Sequence, residues 1–359
     1  MLLTISGAVP ATLDDDIAAG RRPRADYRAI ADSLGAELMD EPTAQRVSRL
    51  ARLAARVAGP HVGLSVASWR TARDVDVVIT DAEHTGLPLA VWYRLESWCR
   101  LGRRRRPRHV MISHRLAWGR KMQLHRWLRL GAEIDTYVVY STEQRRLLID
   151  EMGIDPSSVV LTGFMVDDRF WHEAPFPPAD GRPRICAVGL ERRDYETLLA
   201  AVDGLDVDLV VTAGSPWSVR LWSPAGEVPA NVTVTTVPFA ELRGVYAQSW
   251  FSVVPLEPVD FQAGVTAILE SMAVGRPVLH TAVPGQTDVI VDGVTGRTVP
   301  PRDPAAMRRA IVEMVGDHAG LARMGAAARH DVETRFALDG YVRRIGAAAG
   351  AELPAEATA

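Results

Sequence analysis

The residues best suited to chemistry lie between Ser252 and Val299. Glu270 offers a carboxylate, and Thr266, four residues earlier, places a hydroxyl on the same face of a helix. Just before them, Gly264 and Val265 open that helix. The free N–H groups of a helix start suit a phosphate, and a glycine lets the ligand approach the backbone closely. Together these residue types point to a ligand that is both anionic and rich in hydroxyls.

Such a site needs a strand, a loop, a helix and a second strand. The apolar run from Ser252 to Leu256 reads as a buried strand. Good helix formers run from Ala263 to about Val274, where Gly275 gives a left-handed stop and Pro277 forbids continuation. Val278 and Leu279 begin the next strand. A unit of this kind aims the helix N-terminus at the carboxyl edge of a parallel sheet.

The same alternation pervades the chain. In the first half, strands are expected at Leu2 to Ser6, Asp76 to Thr80, His109 to Ser113, Thr136 to Tyr140 and Val159 to Thr162. Helices are expected at Tyr27 to Leu34, Arg46 to Val57, Leu87 to Cys99, Trp127 to Leu130 and Thr142 to Met152. The prolines between Trp171 and Pro183 read as a linker. A second series follows, with strands at Arg184 to Val188, Asp208 to Thr212 and Asn231 to Thr236. Its first helices are Tyr195 to Val202 and Ala240 to Gln248, and the tail from Pro304 reads as two or three more. The fold class is therefore α/β, with two Rossmann-like, doubly wound parallel-sheet domains facing a cleft. The expected boundaries are 1–170 (first Rossmann-like domain), 171–183 (linker), 184–335 (second Rossmann-like domain) and 336–359. That last segment is a helix crossing back to the first domain, with a frayed end.

Composition narrows the function. The chain has 359 residues, 47% hydrophobic and 24% charged, with a net charge of −3. It is long enough for two cores and ordinary for a globular protein. Cys99 and Cys186 are too few for a disulfide framework or a zinc site, which fits a reducing cytoplasm. No apolar run reaches the ~20 residues of a spanning helix. The apolar N-terminus lacks a basic flank and reads as a first core strand, not a signal peptide. Asp74-Val75-Asp76 and Asp206-Val207-Asp208 precede their strands and look like strand-edge charges, so no metal site is expected.

In the N-terminal half, three loops follow strands and face the expected cleft: one from Gly7, one from Asp81 to Gly86, and Ser113-His114-Arg115. Glu83, His84 and His114 could bind the hydroxyls of a ligand or move a proton, with Gly7 and Arg115 beside them. The arginines of 100–129, interleaved with tryptophans, suit either a solvated surface or peripheral contact with an anionic membrane. No nucleic-acid module surrounds them.

Several motifs in order, Leu269 to Val278, Pro284-Gly285, Asp292 to Gly296, Val299 to Pro301 and Asp303-Pro304, resemble the C-terminal domain of glycosyltransferase family 4. These are retaining, metal-independent enzymes of the GT-B fold that use nucleotide sugars. The resemblance runs from about Arg184 to the end and is weaker before it, where Gly163 to Asp167 with Phe170 look like the pre-linker segment. It implies that Glu270 holds the donor ribose, that Gly264, Val265 and Thr266 lie at the diphosphate, and that Val237 and Pro238 lie near the nucleobase. It implies that Arg193, with Arg192 beside it, neutralises the leaving diphosphate. Leu190 stands where the family has a second cation, an arginine. Gln262 stands where the family has a glutamate contacting the donor sugar. The expected activity is transfer of a sugar from a nucleoside diphosphate sugar to a hydroxyl or amine acceptor, with no cofactor. An epimerase or hydrolase, or a silent nucleotide-sugar-binding protein, remain alternatives because of Gln262. The expected location is cytoplasmic or peripheral at the inner membrane face.

Overall fold

A computed structural model of the chain describes residues 1–99, 106–116, 119–213, 222 and 226–351. It divides into two units, which are described separately. One comprises Met1–Asp14, Arg24–Gly163 and Asp339–Ala359; the other comprises Asp15–Pro23 and Phe164–Leu338.

The first unit holds β1 (Leu2–Thr4), β2 (Glu37–Met39), β3 (Val77–Thr80), β4 (Arg108–Ile112), β5 (Thr136–Val139) and β6 (Val159–Leu161). They form a parallel sheet in the order β2-β1-β3-β4-β5-β6. The strands read as continuous β-branched and aliphatic runs because both faces are covered, and β1, β3 and β5 are buried at every residue. The C-terminal Leu338–Ala349 helix returns to this unit, where the Tyr341 hydroxyl lies 3.3 Å from that of Tyr140.

The second unit repeats the plan. Its strands are β7 (Arg184–Val188), β8 (Asp208–Thr212), β9 (Val232–Thr235), β10 (Phe251–Val254), β11 (Val278–Thr281) and β12 (Gly296–Val299), in the order β12-β11-β10-β7-β8-β9. The strand period separates two cores. Ile185 and Ala187 join one apolar cluster with Leu198, Val202 and Ile311, whereas Cys186 and Val188 join another with Ile268, Leu269 and Met272.

In each sheet the chain winds outward in both directions from one point. These switch points lie between β1 and β3, and between β7 and β10. Ligands of open parallel sheets bind beyond the carboxyl ends of the strands at such a point. The segments leaving β1, β3, β7 and β10 are therefore the ones to inspect.

Several elements differ from the sequence reading. Glu83–Trp98 is one helix that takes in Glu83 and His84, so most of the expected loop 81–86 is helical. Burial of Glu83, Thr85 and Gly86 in its first turn overrides the polar composition. The 142–152 segment is α-helical only over Thr142–Arg146 and continues as a π-helix over Leu147–Glu151. Helical structure in the 127–130 region is the end of a Gly119–Trp127 helix followed by a 3-10 turn at Leu130–Glu133. Short β2 was not expected, since three residues carry little periodicity.

The Pro-rich segment begins in the core. Trp171 is 1% exposed and packs edge-on against Phe170, Phe239 and Tyr246. Buried Arg276 fastens the next residues, donating to the carbonyls of Ala174, Pro175 and Ala247. Trp171→Ala should lower stability by about 3–5 kcal/mol, read from the denaturation midpoint; a change as small as that of an exposed residue would contradict this packing.

Candidate functional site

The second unit's site is built at the β7/β10 switch point. After β7 the chain turns through Gly189, at φ 100°, and Arg193 folds its guanidinium back under the strand end. Arg193 Nε donates to the Val188 carbonyl at 3.0 Å and Nη1 to the Glu191 carbonyl at 2.8 Å. The segment is held to the loop after β10, where the Asp194 amide donates to the Pro255 carbonyl and the Glu257 amide to the Arg192 carbonyl.

Two glycines make room for that guanidinium. A Cβ at Gly189 would come within 2.6 Å of Nη2, and one at Gly264 within 3.1 Å of Nη1. Gly264 also sits at φ 76°, a left-handed conformation disfavoured for other residues. It precedes the Val265–Ala273 helix, whose N-terminus has no side-chain cap. Some other helix starts are capped, with Asp194, Asp303 and Asp317 each accepting from a first-turn amide, whereas those of Glu83–Trp98 and Phe239–Ala247 also lack a side-chain cap. Unpaired first-turn amides and a guanidinium therefore converge at one place, which is a strong anion site. Burial lowers the pKa of Arg193, but a guanidinium remains charged. Arg192 instead projects outward to Glu257, at 3.3 Å.

One turn further in, Glu270 is 5% exposed, and Tyr246 Oη donates to its Oε2 at 3.0 Å. Burial raises its pKa from the usual 4.5 to about 8, against the opposite pull of Tyr246 and of the Arg193 charge. Burial thus shifts Glu270 toward its protonated form. Thr266 is exposed while Glu270 is buried, so the expected shared face is realised only in azimuth. Val265 is buried. Both polar atoms of the Gln262 carboxamide are buried without a hydrogen-bond partner. The backbone of Phe261 and Gln262 is pressed against Gly285, and Gln286 Nε2 donates to the Ala263 carbonyl at 2.5 Å, leaving its own Oε1 unpaired. Pro238 precedes the Phe239–Ala247 helix without a side-chain cap, and Val237 packs on the core beside it.

The first unit's site lies at the β1/β3 switch point. The Ser6 amide donates to Asp81 Oδ2 at 2.7 Å, and Ser6 Oγ lies 3.1 Å from Asp81 Oδ1 and 2.6 Å from His84 Nε2. The His84 ring packs 4.3 Å from that of His61. Burial pushes the Asp81 carboxyl up to about 6, while burial and the neighbouring His61 pull His84 down to about 4. His114 is exposed, its Nε2 3.0 Å from the Asp81 carbonyl. Gly7, at φ 84°, turns the chain away from Ser6.

Glu83 behaves differently from the expectation of a catalytic carboxylate. It is buried and accepts from the His114 amide (2.9 Å), the Arg115 amide (3.1 Å) and Lys121 Nζ (2.7 Å). Those donors hold its pKa below the usual range. Its oxygens are thus committed to shaping the loop that carries His114 and Arg115. Sequence reasoning placed Asp81 in a cleft-facing loop but missed Ser6 and His61 here, and Tyr246 in the second unit. Only the position of Ser6 at a strand end could have signalled it. Nothing local marks Tyr246, which meets Glu270 from a separate helix.

The basic stretch 100–129 is described only in part, since 100–105 and 117–118 lie outside the described residues. Of the rest, Arg106 pairs with Asp135 and Glu133, and Lys121 with Glu83. Among the described residues no cluster of His, Cys, Asp and Glu could hold a metal ion.

The buried Glu270 leads to a stability test. Its folded pKa lies above the unfolded value, so between about pH 4.5 and 8 the folded state binds more protons and stability falls as pH rises. Melting temperatures across that window should decline less for Glu270→Gln than for the parent; identical slopes would place the carboxyl in water.

Comparison with known proteins gives these sites a context. Residues 182–317 match the family described as glycosyl transferases group 1. Over 281 residues, 70% of this chain and 72% of the relative, the sequence is 27% identical to the GDP-mannose-dependent alpha-(1-6)-phosphatidylinositol monomannoside mannosyltransferase of Mycolicibacterium smegmatis. It is 30% identical over 222 residues to the D-inositol 3-phosphate glycosyltransferase of Nocardia farcinica, covering 55% of this chain and 48% of that one. The structure of Anabaena Alr3699/HepE in complex with UDP and glucose superposes with a TM-score of 0.67 at 12% identity, covering 98% of this chain and 99% of that one.

Proposed function

We propose that this chain, a glycosyltransferase of the GT-B fold whose residues 182–317 match the group 1 family, transfers a sugar from a nucleoside diphosphate sugar to a hydroxyl or amine acceptor, with retention and without a bound metal. The observation that carries the donor class is the convergence of Arg193 and the uncapped helix start at Gly264. Two positive ends at one point suit a diphosphate that gains charge as it leaves. The relatives agree in kind, since one is named for GDP-mannose and the superposed structure holds UDP and glucose.

In this reading the bond from the anomeric carbon to the diphosphate breaks first, and Arg193 with the amides after Gly264 stabilise the departing oxygen. Glu270 accepts from the ribose hydroxyls, a contact that favours its ionised form and draws it away from Tyr246. The acceptor oxygen then bonds to the anomeric carbon from the same face, and its proton passes to the leaving phosphate. Ser6, Asp81, His84 and His114 hold the acceptor. The Ser6 hydroxyl and a neutral His84 imidazole, whose pKa burial lowers, can each donate or accept, as a hydroxyl-bearing acceptor requires.

The bare carboxamide of Gln262 supports a second reading, because it supplies no negative charge beside the donor sugar. A GT-B hydrolase or epimerase, or a protein that binds without turnover, would follow. A thermal-shift screen with UDP-, GDP-, ADP- and dTDP-sugars, followed by turnover assays, separates these. Free nucleotide released only with acceptor present is the expected result. Release or isomerisation without acceptor, or stabilisation with no product, would overturn transfer.

Arg193→Met should lower kcat about a hundredfold or more while leaving the melting temperature close to the parent's; unchanged kcat would remove Arg193 from the diphosphate. Gln262→Glu should reduce turnover with the preferred donor if the carboxamide is matched to that sugar. An increase would show it to be a defect instead.

A further inference from the structure

The helix Arg49–Ala58 is mounted the wrong way round for a core helix. Its inward face is made of small residues: Ala51 is fully buried, and Gly63 of the following Pro60–Thr71 helix is so close that a Cβ there would sit 2.6 Å from Ala55 Cβ. Its large apolar residues point outward. Leu50 is 47% exposed, Leu53 58% and Val57 79%, and Val47 just before the helix is 61% exposed. The 3.6-residue period lines up Leu50, Leu53 and Val57 as one stripe, with Arg49, Arg52 and Arg56 as a second beside it. No Asp or Glu occurs between Pro42 and Asp74.

We infer that this helix is a peripheral docking face for an anionic phospholipid surface, lying in the interface with its apolar stripe immersed and its arginines at the headgroups. Charge decides the occupant. A second copy of the chain meeting this face would set arginine against arginine with no acid in the helix to offset it. A nucleic acid would satisfy the arginines but leave Leu50, Leu53 and Val57 in water. A lipid surface satisfies both stripes at once, as interfacial amphipathic helices do. The helix is far too short to span a bilayer, and among the described residues no helix is long and apolar enough to cross one. The inference does not depend on the donor-site reading, because vesicle binding requires no nucleotide sugar.

Flotation of the full chain with vesicles tests it, using phosphatidylcholine alone and equal parts phosphatidylcholine and phosphatidylglycerol. The protein should float with the anionic vesicles only, and less so at high salt. Arg49→Gln with Arg56→Gln should weaken partitioning about thirtyfold, at roughly fivefold per arginine. Leu53→Ser with Val57→Ser should also release the protein, and because these side chains are exposed its melting temperature should match the parent's. Three results would overturn the proposal: no flotation of the parent, flotation unchanged in both variants, or a concentration-dependent dimer that Leu53→Ser with Val57→Ser abolishes.

Discussion

The guanidinium of Arg193, seated between Gly189 and Gly264, is the contact on which the second unit's site depends. A parallel sheet sends its strand ends and the N-termini of the following helices to one edge, so positive ends accumulate there. Adding a cation to that edge is unfavourable unless an anion joins them. The absence of a Cβ at two positions lets the arginine come close all the same, and carbonyls of Val188 and Glu191 hold it.

Two buried carboxyls show how environment sets role. Glu83 receives two amides and an ammonium, and its pKa is lowered. Glu270 receives one phenol, and burial raises its pKa to about 8. The first is spent on shaping a loop. The second accepts a single side-chain hydrogen bond, from Tyr246, and so is far less compensated for its burial. Asp81 lies between these cases, since the Ser6 amide and hydroxyl offset part of its desolvation. The same logic makes Gln262 notable, for its two polar atoms are buried without partners and a buried amide costs stability unless something else satisfies it.

The outward apolar stripe of Arg49–Ala58 shows the limit of periodicity as a guide. Spacing of Leu50, Leu53 and Val57 identifies a helix, and they would ordinarily be its core face. The alanines win that position because only small side chains fit against Gly63. Which stripe of an amphipathic helix is buried depends on how near the neighbouring backbone comes.

The sequence by itself determined the α/β class, the strands of the second unit other than β12, and the helix from Val265 to Ala273, because continuous apolar runs, Gly275 and Pro277 act locally. It also singled out Glu270, Gly264 and Arg193, whose neighbours form an ordered motif. The partners of those residues were decided only by tertiary structure. Tyr246 reaches Glu270 from a different helix, Ser6 reaches Asp81 and His84 across a strand pair, and Glu83 turns into the core to serve a loop. The physical reason is common to all three. Hydrogen bonding and desolvation act over a few ångströms of space, and adjacent strands in a parallel sheet are joined by long crossovers. Residues that set each other's charge are therefore far apart along the chain.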